Sequence, residues 1–252
     1  MAVPAKGAID VGITALHTRP HTGHRVVAVV AVLTGGVAGL AGPTPAAQAA
    51  TVRSTVVVAA TVTTPPTLRH GSRGAQVTRL QKRLTALHYD VAAIDGVFGN
   101  DTLHAVYAFQ KVQGIGVDGV VGPGTWAKLA APTVPKPRHK RSGAAVEVDL
   151  SIRVVYLTKR GAVRKIIDAS PGKPATPTVT GKFRFTRRID GWRHARLGLL
   201  WRPYYFRGGY AVHGSRSVPT YAASHGCVRV TMAAMNRLWS KLAIGERIWV
   251  YR

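Results

Sequence analysis

Between Ala131 and Gly143 the chain reads Ala-Pro-Thr-Val-Pro-Lys-Pro-Arg-His-Lys-Arg-Ser-Gly, and no regular helix or central strand runs through such a stretch. Each proline fixes φ and removes a backbone donor, and the clustered cations repel one another. Residues 132–144 therefore read as an extended linker. The chain is expected to fold as two pieces, and the residues on either side of the linker carry different periodicities.

The first piece, 68–131, reads as helical. Val77, Leu80, Leu84 and Leu87 recur at helical spacing after Gly71-Ser72-Arg73-Gly74. An internal repeat follows. Ile94-Asp95-Gly96-Val97-Phe98-Gly99-Asn100-Asp101-Thr102 is echoed 23 residues on by Val117-Asp118-Gly119-Val120-Val121-Gly122-Pro123-Gly124-Thr125. Each copy is a glycine turn that leads into a helix. Leu103, Val106 and Phe109 share a face of the first helix, and Trp126 and Leu129 a face of the second. The Asp-Gly turns lack the run of carboxylates that a calcium loop needs, so turn chemistry explains them better.

The second piece, 145–252, reads as mostly strand. Val146, Val148 and Leu150 alternate, and Val154 to Leu157 and Val163 to Ile167 flank a Lys159-Arg160-Gly161 turn. Phe183 and Phe185 alternate in another strand, and Tyr210-Ala211-Val212 delivers His213 at a strand end. One helix carries Met235, Leu238, Trp239 and Leu242, and Ile248 to Tyr251 closes the chain as a strand. Short strands with one helix imply a β-sandwich or open barrel.

Ahead of both pieces, Arg19 and Arg25 precede an apolar run from Val26 to Gly42, and Ala47-Gln48-Ala49 offers a small-x-small cleavage site. Residues 1–49 read as a signal peptide and 50–67, mostly Thr, Val and Ala before Pro65-Pro66, as a tether. An uncleaved anchor is the competing reading. Thr34 and four glycines interrupt the run, which is short for a membrane span, so no stable span is expected after leader removal. The mature chain is expected to be exported and extracytoplasmic. Over the full sequence, 35 Lys and Arg against 10 Asp and Glu give a formal charge of +25, which suits a polyanionic partner. Nucleic acid is disfavoured, because no recognition motif is present and the leader points outward.

There is one cysteine, which excludes an intramolecular disulfide and a thiolate-only metal cage. It is either a small buried hydrophobe or a reactive thiol. Its setting is Ser224-His225-Gly226-Cys227-Val228-Arg229, with His213-Gly214-Ser215 fourteen residues before it. A thiol nucleophile needs a base, the base needs a group that fixes its tautomer, and the acyl intermediate needs amide donors. An imidazole supplies the first, and the N–H groups of Gly226 and Cys227 are candidates for the last. Both nearby histidines precede the cysteine, the reverse of the papain-like order. His213, His225 and Cys227 make three metal ligands on paper, but no acidic residue lies near to serve as the base of a metallohydrolase, so no metal is expected. Tyr204, Tyr205 and Tyr210 default to core packing. Trp192, Trp201 and Arg202, in a loop-like setting, are candidates for a lid over the cleft.

These motifs resemble two families. Gly74-Ala75-Gln76-Val77, Leu80-Gln81, the Asp-Gly-Val-Phe-Gly turn, Phe109-Gln110 and the second Asp-Gly turn before Thr125-Trp126 are similar to the peptidoglycan-binding type 1 family over Leu68 to Leu129. The stretch 146–251 resembles the YkuD-type L,D-transpeptidases. Ser170-Pro171-Gly172-Lys173-Pro174, Thr176-Pro177-Thr178-Val179-Thr180-Gly181, Ala211-Val212-His213-Gly214 and the Ser-His-Gly-Cys-Val-Arg run carry that likeness.

The resemblance implies a three-helix wall-binding module before a mainly β catalytic domain. It implies Cys227 as nucleophile and His213 as base, with the Gly214 carbonyl orienting the imidazole. His225 would shape the site, and Ser224 and Arg229 would hold the nucleophile loop or meet a substrate carboxylate. The implied reaction forms 3→3 cross-links between peptidoglycan stems, without metal or organic cofactor, and carbapenems would acylate Cys227. The implied partners are stem peptides and glycan, with anionic wall polymers beside them. An L,D-carboxypeptidase using the same site and a non-catalytic wall binder are the alternatives. The His-to-Cys loop is shorter than in many members, and Arg229 stands where some have Asn.

Overall fold

A computed structural model describes residues 65–140 and 142–252. The leader expected at 1–49 and nearly all of the tether expected at 50–67 lie outside these residues. Three helices come first: α1 (Ala75–Ala86), α2 (Asn100–Gln113) and α3 (Pro123–Ala130). Val77, Leu80 and Leu84 of α1 are buried against Phe98, Val106 and Phe109. Gly114 closes α2 in the left-handed conformation, and Pro123 opens α3, each where such a residue is least costly.

The two Asp-Gly turns are built alike. Gln81, buried in α1, donates Nε2 to Asp95 Oδ1 (2.8 Å), to the Val97 carbonyl (3.0 Å) and to Thr102 Oγ1 (3.0 Å), while its Oε1 accepts the Gly96 N–H (2.9 Å). Gln110 of α2 repeats the set on Asp118 (2.6 Å), Val120 (3.1 Å), Thr125 (3.5 Å) and the Gly119 N–H (2.9 Å). Gly96 and Gly119 both sit at positive φ, 72° and 73°. A buried amide that satisfies a whole turn explains why glutamine follows the apolar residue in both copies.

The second half forms two sheets. The first runs β3-β2-β1-β10-β4, from β1 (Ala145–Asp149), β2 (Val154–Lys159), β3 (Ala162–Asp168), β4 (Gly181–Arg184) and β10 (Arg247–Tyr251). The second runs β5-β7-β8-β9, from β5 (Arg187–Arg188), β7 (Gly198–Arg207), β8 (Tyr210–Ser215) and β9 (Val228–Thr231), with β6 (Trp192–Ala195) paired to β7. The helix α4 (Met232–Trp239) follows β9 directly, capped by the Thr231 hydroxyl on the Ala234 N–H (3.0 Å). Val146, Val148, Val155, Ile167, Ile248 and Val250 of the first sheet meet Tyr204, Phe206, Val212, Val228 and Val230 of the second, and Met235 and Leu238 of α4 close that core.

The two pieces pack against one another. Val154, Tyr156, Val163 and Ile166 project from the opposite face of the first sheet and share one hydrophobic core with Leu80, Phe98 and Phe109 of the helices. The first sheet is thus a middle layer, buried on both faces at β2 and β3, which is why β2 opens on the continuous apolar run Val154 to Leu157 rather than an alternating one. Burial of each such large side chain contributes on the order of 1.5–3 kcal/mol. The backbone joins in: the Asp90 N–H donates to the Ile166 carbonyl (2.9 Å), and the Ile166 N–H to that of His88 (2.8 Å). The linker is also fastened. Thr133 and Gln113 exchange two hydrogen bonds, and buried Glu147 accepts the N–H groups of Arg138 and His139, both at 2.9 Å.

Candidate active site

The parallel pair β8–β9 builds the site. Val212 stands opposite Val228 and His213 opposite Arg229. Side chains alternate along a strand, so Val212, Val228 and Val230 enter the core, and His213, Arg229 and, one residue before β9, Cys227 fall on the other face. That face forms one wall of a cavity of about 500 Å³, lined by His213, Ser224, His225, Cys227 and Arg229 among others.

His213 is 4% exposed, and its Nδ1 lies 2.8 Å from the Gly214 carbonyl oxygen. A carbonyl only accepts, so Nδ1 carries the proton and Nε2 keeps a lone pair. Burial is the main force that pulls the His213 pKa from 6.5 down to about 4; the Gly214 bond opposes it and the Arg229 charge adds to it. Burial also raises the Cys227 thiol, against a backbone hydrogen bond from Ala211 and the charge of Arg229, and the thiol faces the Gly209 carbonyl at 3.6 Å. The resting pair is a neutral imidazole and a protonated thiol. Gly214 allows no side chain, since a Cβ there would stand 2.8 Å from Trp201 Cδ1 and 3.1 Å from Met232 Cα.

Ser224 holds the loop before Cys227. It is buried, and its Oγ donates to the Cys227 carbonyl and accepts the Gly226 N–H (3.0 Å). The Gly226 N–H, a candidate oxyanion donor in the sequence, is thus taken up by Ser224 in the resting protein. Gly226 has another role in the fold: its φ of +119° shapes the turn, and a Cβ there would lie 2.7 Å from the Tyr210 ring. His225 is exposed at the cavity rim. Arg229 exchanges backbone hydrogen bonds with Ser170 (2.9 and 3.0 Å) and lines the cavity.

The opposite wall is the β6–β7 hairpin. Its tip, Ala195 to Leu200, lines the cavity, as do Arg187, Arg193 and Arg196; with Arg229 these make four guanidinium groups and no carboxylate on the lining. Trp192, Trp201 and Arg202 lie away from the lining, where Trp192 and Trp201 pair across the hairpin at 5.2 Å. Trp201 Nε1 and the Arg202 guanidinium donate to Asn236 Oδ1 on α4 (2.6 and 3.2 Å), fastening the hairpin's base. Tyr204 is core, its hydroxyl donating to the Leu242 carbonyl (2.9 Å), whereas Tyr205 and Tyr210 face the cavity. Alternation along β7 was the signal that separates Tyr204 from Tyr205. Nothing local in the sequence marks Arg187, Arg193 or Arg196, three of many arginines.

Family comparisons agree with this architecture. Residues 73–129 match the peptidoglycan-binding domain family, and residues 143–250 match the YkuD family of L,D-transpeptidase catalytic domains. The crystal structure of an L,D-transpeptidase from Xylanimonas cellulosilytica is 45% identical, with a TM-score of 0.72, over 74% of this chain and 98% of that one. The share of this chain exceeds either module alone, so the likeness spans both. Among curated proteins, the N-acetylmuramoyl-L-alanine amidase CwlL of Bacillus licheniformis is 37% identical over 108 residues, 40% of this chain and 30% of that enzyme. The zinc D-Ala-D-Ala carboxypeptidase of Streptomyces albus G is 43% identical over 65 residues, 25% of this chain and 26% of that one. The chain thus spans less than a third of the length of either enzyme. The fold, the YkuD match and the likeness to the Xylanimonas structure define a transpeptidase or peptidase type of enzyme. The chain belongs to the L,D-transpeptidase family, with a peptidoglycan-binding module ahead of its catalytic domain.

Proposed function

We propose that Cys227 attacks the amide between the L-centre of a diamino acid and the terminal D-Ala of a peptidoglycan tetrapeptide stem. One observation carries the reading: Cys227 and His213 open onto one cavity, and the Gly214 carbonyl holds the imidazole with Nε2 as the free base. His213 Nε2 takes the thiol proton as sulfur bonds to the carbonyl carbon. The C–N bond then breaks, and D-Ala leaves with that proton, which gives a thioester on Cys227. A deprotonated side-chain amine of a neighbouring stem attacks the thioester carbonyl. Its proton passes to His213 and from there to the departing thiolate, leaving a 3→3 cross-link and the resting pair.

Arg229 and the hairpin arginines supply the positive field that a stem bearing several carboxylates needs, and Ser224 keeps the nucleophile loop in place. Residues 68–131 carry wall binding and 145–252 the chemistry. The site works outside the cytoplasm, on a chain exported by its leader, where anionic wall polymers also meet its basic surface. Among the described residues no helix is long and apolar enough to cross a membrane.

The test is mass spectrometry of a disaccharide tetrapeptide incubated with the protein. A dimer that has lost one D-Ala is expected. Tripeptide monomer alone means hydrolysis and recasts the protein as a carboxypeptidase. Cys227→Ala should abolish both products while sacculus binding persists, and turnover retained by that variant would remove the cysteine from the mechanism.

A further inference from the structure

Besides the shared core, the Ile166 backbone bonds and the Lys165–Asp90 pair (3.0 Å), two polar grips of the helical module on the catalytic domain reach supports of the Cys227 loop. The first grip is Lys111 of α2. Its side chain is fully buried, and its ammonium donates to Asp168 Oδ1 (2.6 Å) and to the carbonyls of Ala169 (3.0 Å) and Arg153 (3.2 Å). All three acceptors belong to the catalytic domain. Asp168 Oδ2 meets His104 Nδ1, also on α2, at 2.7 Å.

Ala169 leads into a platform on which the nucleophile loop rests. Ser170 exchanges two backbone hydrogen bonds with Arg229, and its Oγ donates to the Tyr221 carbonyl (2.7 Å). The Pro171 carbonyl accepts the N–H groups of Ala223 and Ser224, both at 3.0 Å. The second grip is Arg237 on α4, the helix that follows Cys227 through β9. Its guanidinium binds Asp90 (2.7 Å) and Asp101 (3.0 Å), both of the helical module.

A buried ammonium is costly unless every donor is matched, and here the matching groups come from the other module. The module is thus held in one place, and with it the 168–171 platform and α4. We propose that the docked helical module is part of the catalytic frame, and that Lys111 is a positioning residue for the Cys227 loop. The inference rests on Cys227 being the nucleophile, the reading given above.

The test uses the full chain carrying Lys111→Met, which keeps the length of the side chain and loses the charge. Steady-state turnover of the disaccharide tetrapeptide is measured with sacculus pelleting and the rate of Cys227 alkylation by iodoacetamide. The expected result is a kcat lower by roughly tenfold, the scale of couplings carried through packed networks. KM and pelleting should stay within about twofold of wild type, the mark of a positioning defect rather than lost substrate binding. Alkylation at fixed pH should slow in parallel. A folded Lys111→Met protein whose kcat lies within about twofold of wild type would overturn the proposal. Should Lys111→Met fail to fold, Asp90→Asn with Asp101→Asn, which removes the carboxylates that hold Arg237 across the same interface, decides by the same readout. An active Cys227→Ala protein defeats the nucleophile reading itself, an outcome separate from any result at Lys111.

Discussion

The Asp-Gly turns of the helical module and the Cys227 loop of the catalytic domain are both glycine-centred turns, but they are assembled differently. In the helical module each turn is completed from nearby sequence: Gln110 reaches Asp118 eight residues away, and Gln81 reaches Asp95 fourteen away. The catalytic loop also leans on a distant segment. Ser170 pairs with Arg229, and the Pro171 carbonyl accepts the N–H groups of Ala223 and Ser224. A turn closed locally survives changes elsewhere, whereas a loop closed by distant partners reports on the whole fold. The first kind suits a binding module and the second the nucleophile proposed for Cys227, whose placement must hold to a fraction of an ångström.

The sharpest way to break this contrast is Gly226→Ala. Its φ of +119° disfavours an L-residue, and the new methyl would meet the Tyr210 ring. We expect kcat to fall about a hundredfold, as for a misplaced reacting group, with sacculus binding unchanged. A Gly226→Ala enzyme with near-normal kcat would show the loop to be tolerant, like the turns of the helical module.

The titration of the site sharpens the contrast next. His213 titrates near 4 in the fold against 6.5 when exposed, so the unfolded chain binds the extra proton between those values. Its stability contribution is complete above pH 6.5 and is lost as pH falls toward about 4, roughly 3 kcal/mol in all. Cys227 works from the other side. Its raised pKa keeps the folded thiol protonated, so stability is lost as pH rises past the ordinary thiol value of 9.0. Urea melts across this range should show both limbs. His213→Gln should flatten the acid limb and Cys227→Ala the alkaline one; limbs unchanged in both variants would move the titrating groups elsewhere.

The smallest effect is expected in the helical module. Gln81→Ala and Gln110→Ala each remove a buried amide that serves one turn, at a cost of about 1–3 kcal/mol. Thermal or urea melts should give similar losses for the two, with kcat unchanged below the transition. A loss at Gln81 much larger than at Gln110 would show that the repeated geometry is not repeated energetically.

The amino-acid order by itself determined the two modules and singled out Cys227 and His213 as the candidate pair. Helical spacing and the repeated Asp-Gly-Val turn are local patterns. The Cys227 and His213 setting needs only chemistry to stand out, because a lone thiol beside His-Gly motifs has few other uses. Only the tertiary structure decided that the Pro-rich segment 132–144 does not separate the modules. It also decided that β2 and β3 are buried on both faces, that the Gly226 amide is taken by Ser224, and that the hairpin tip rather than its tryptophans lines the cleft. Apart from the Ser224 contact, which closes within two residues, each of these depends on a partner many residues distant. Lys111 in particular reads as one more cation in a chain of net charge +25, until folding takes it out of water and gives it three oxygens. Periodicity announces which face of an element is apolar; what that face meets is settled only when the chain closes on itself.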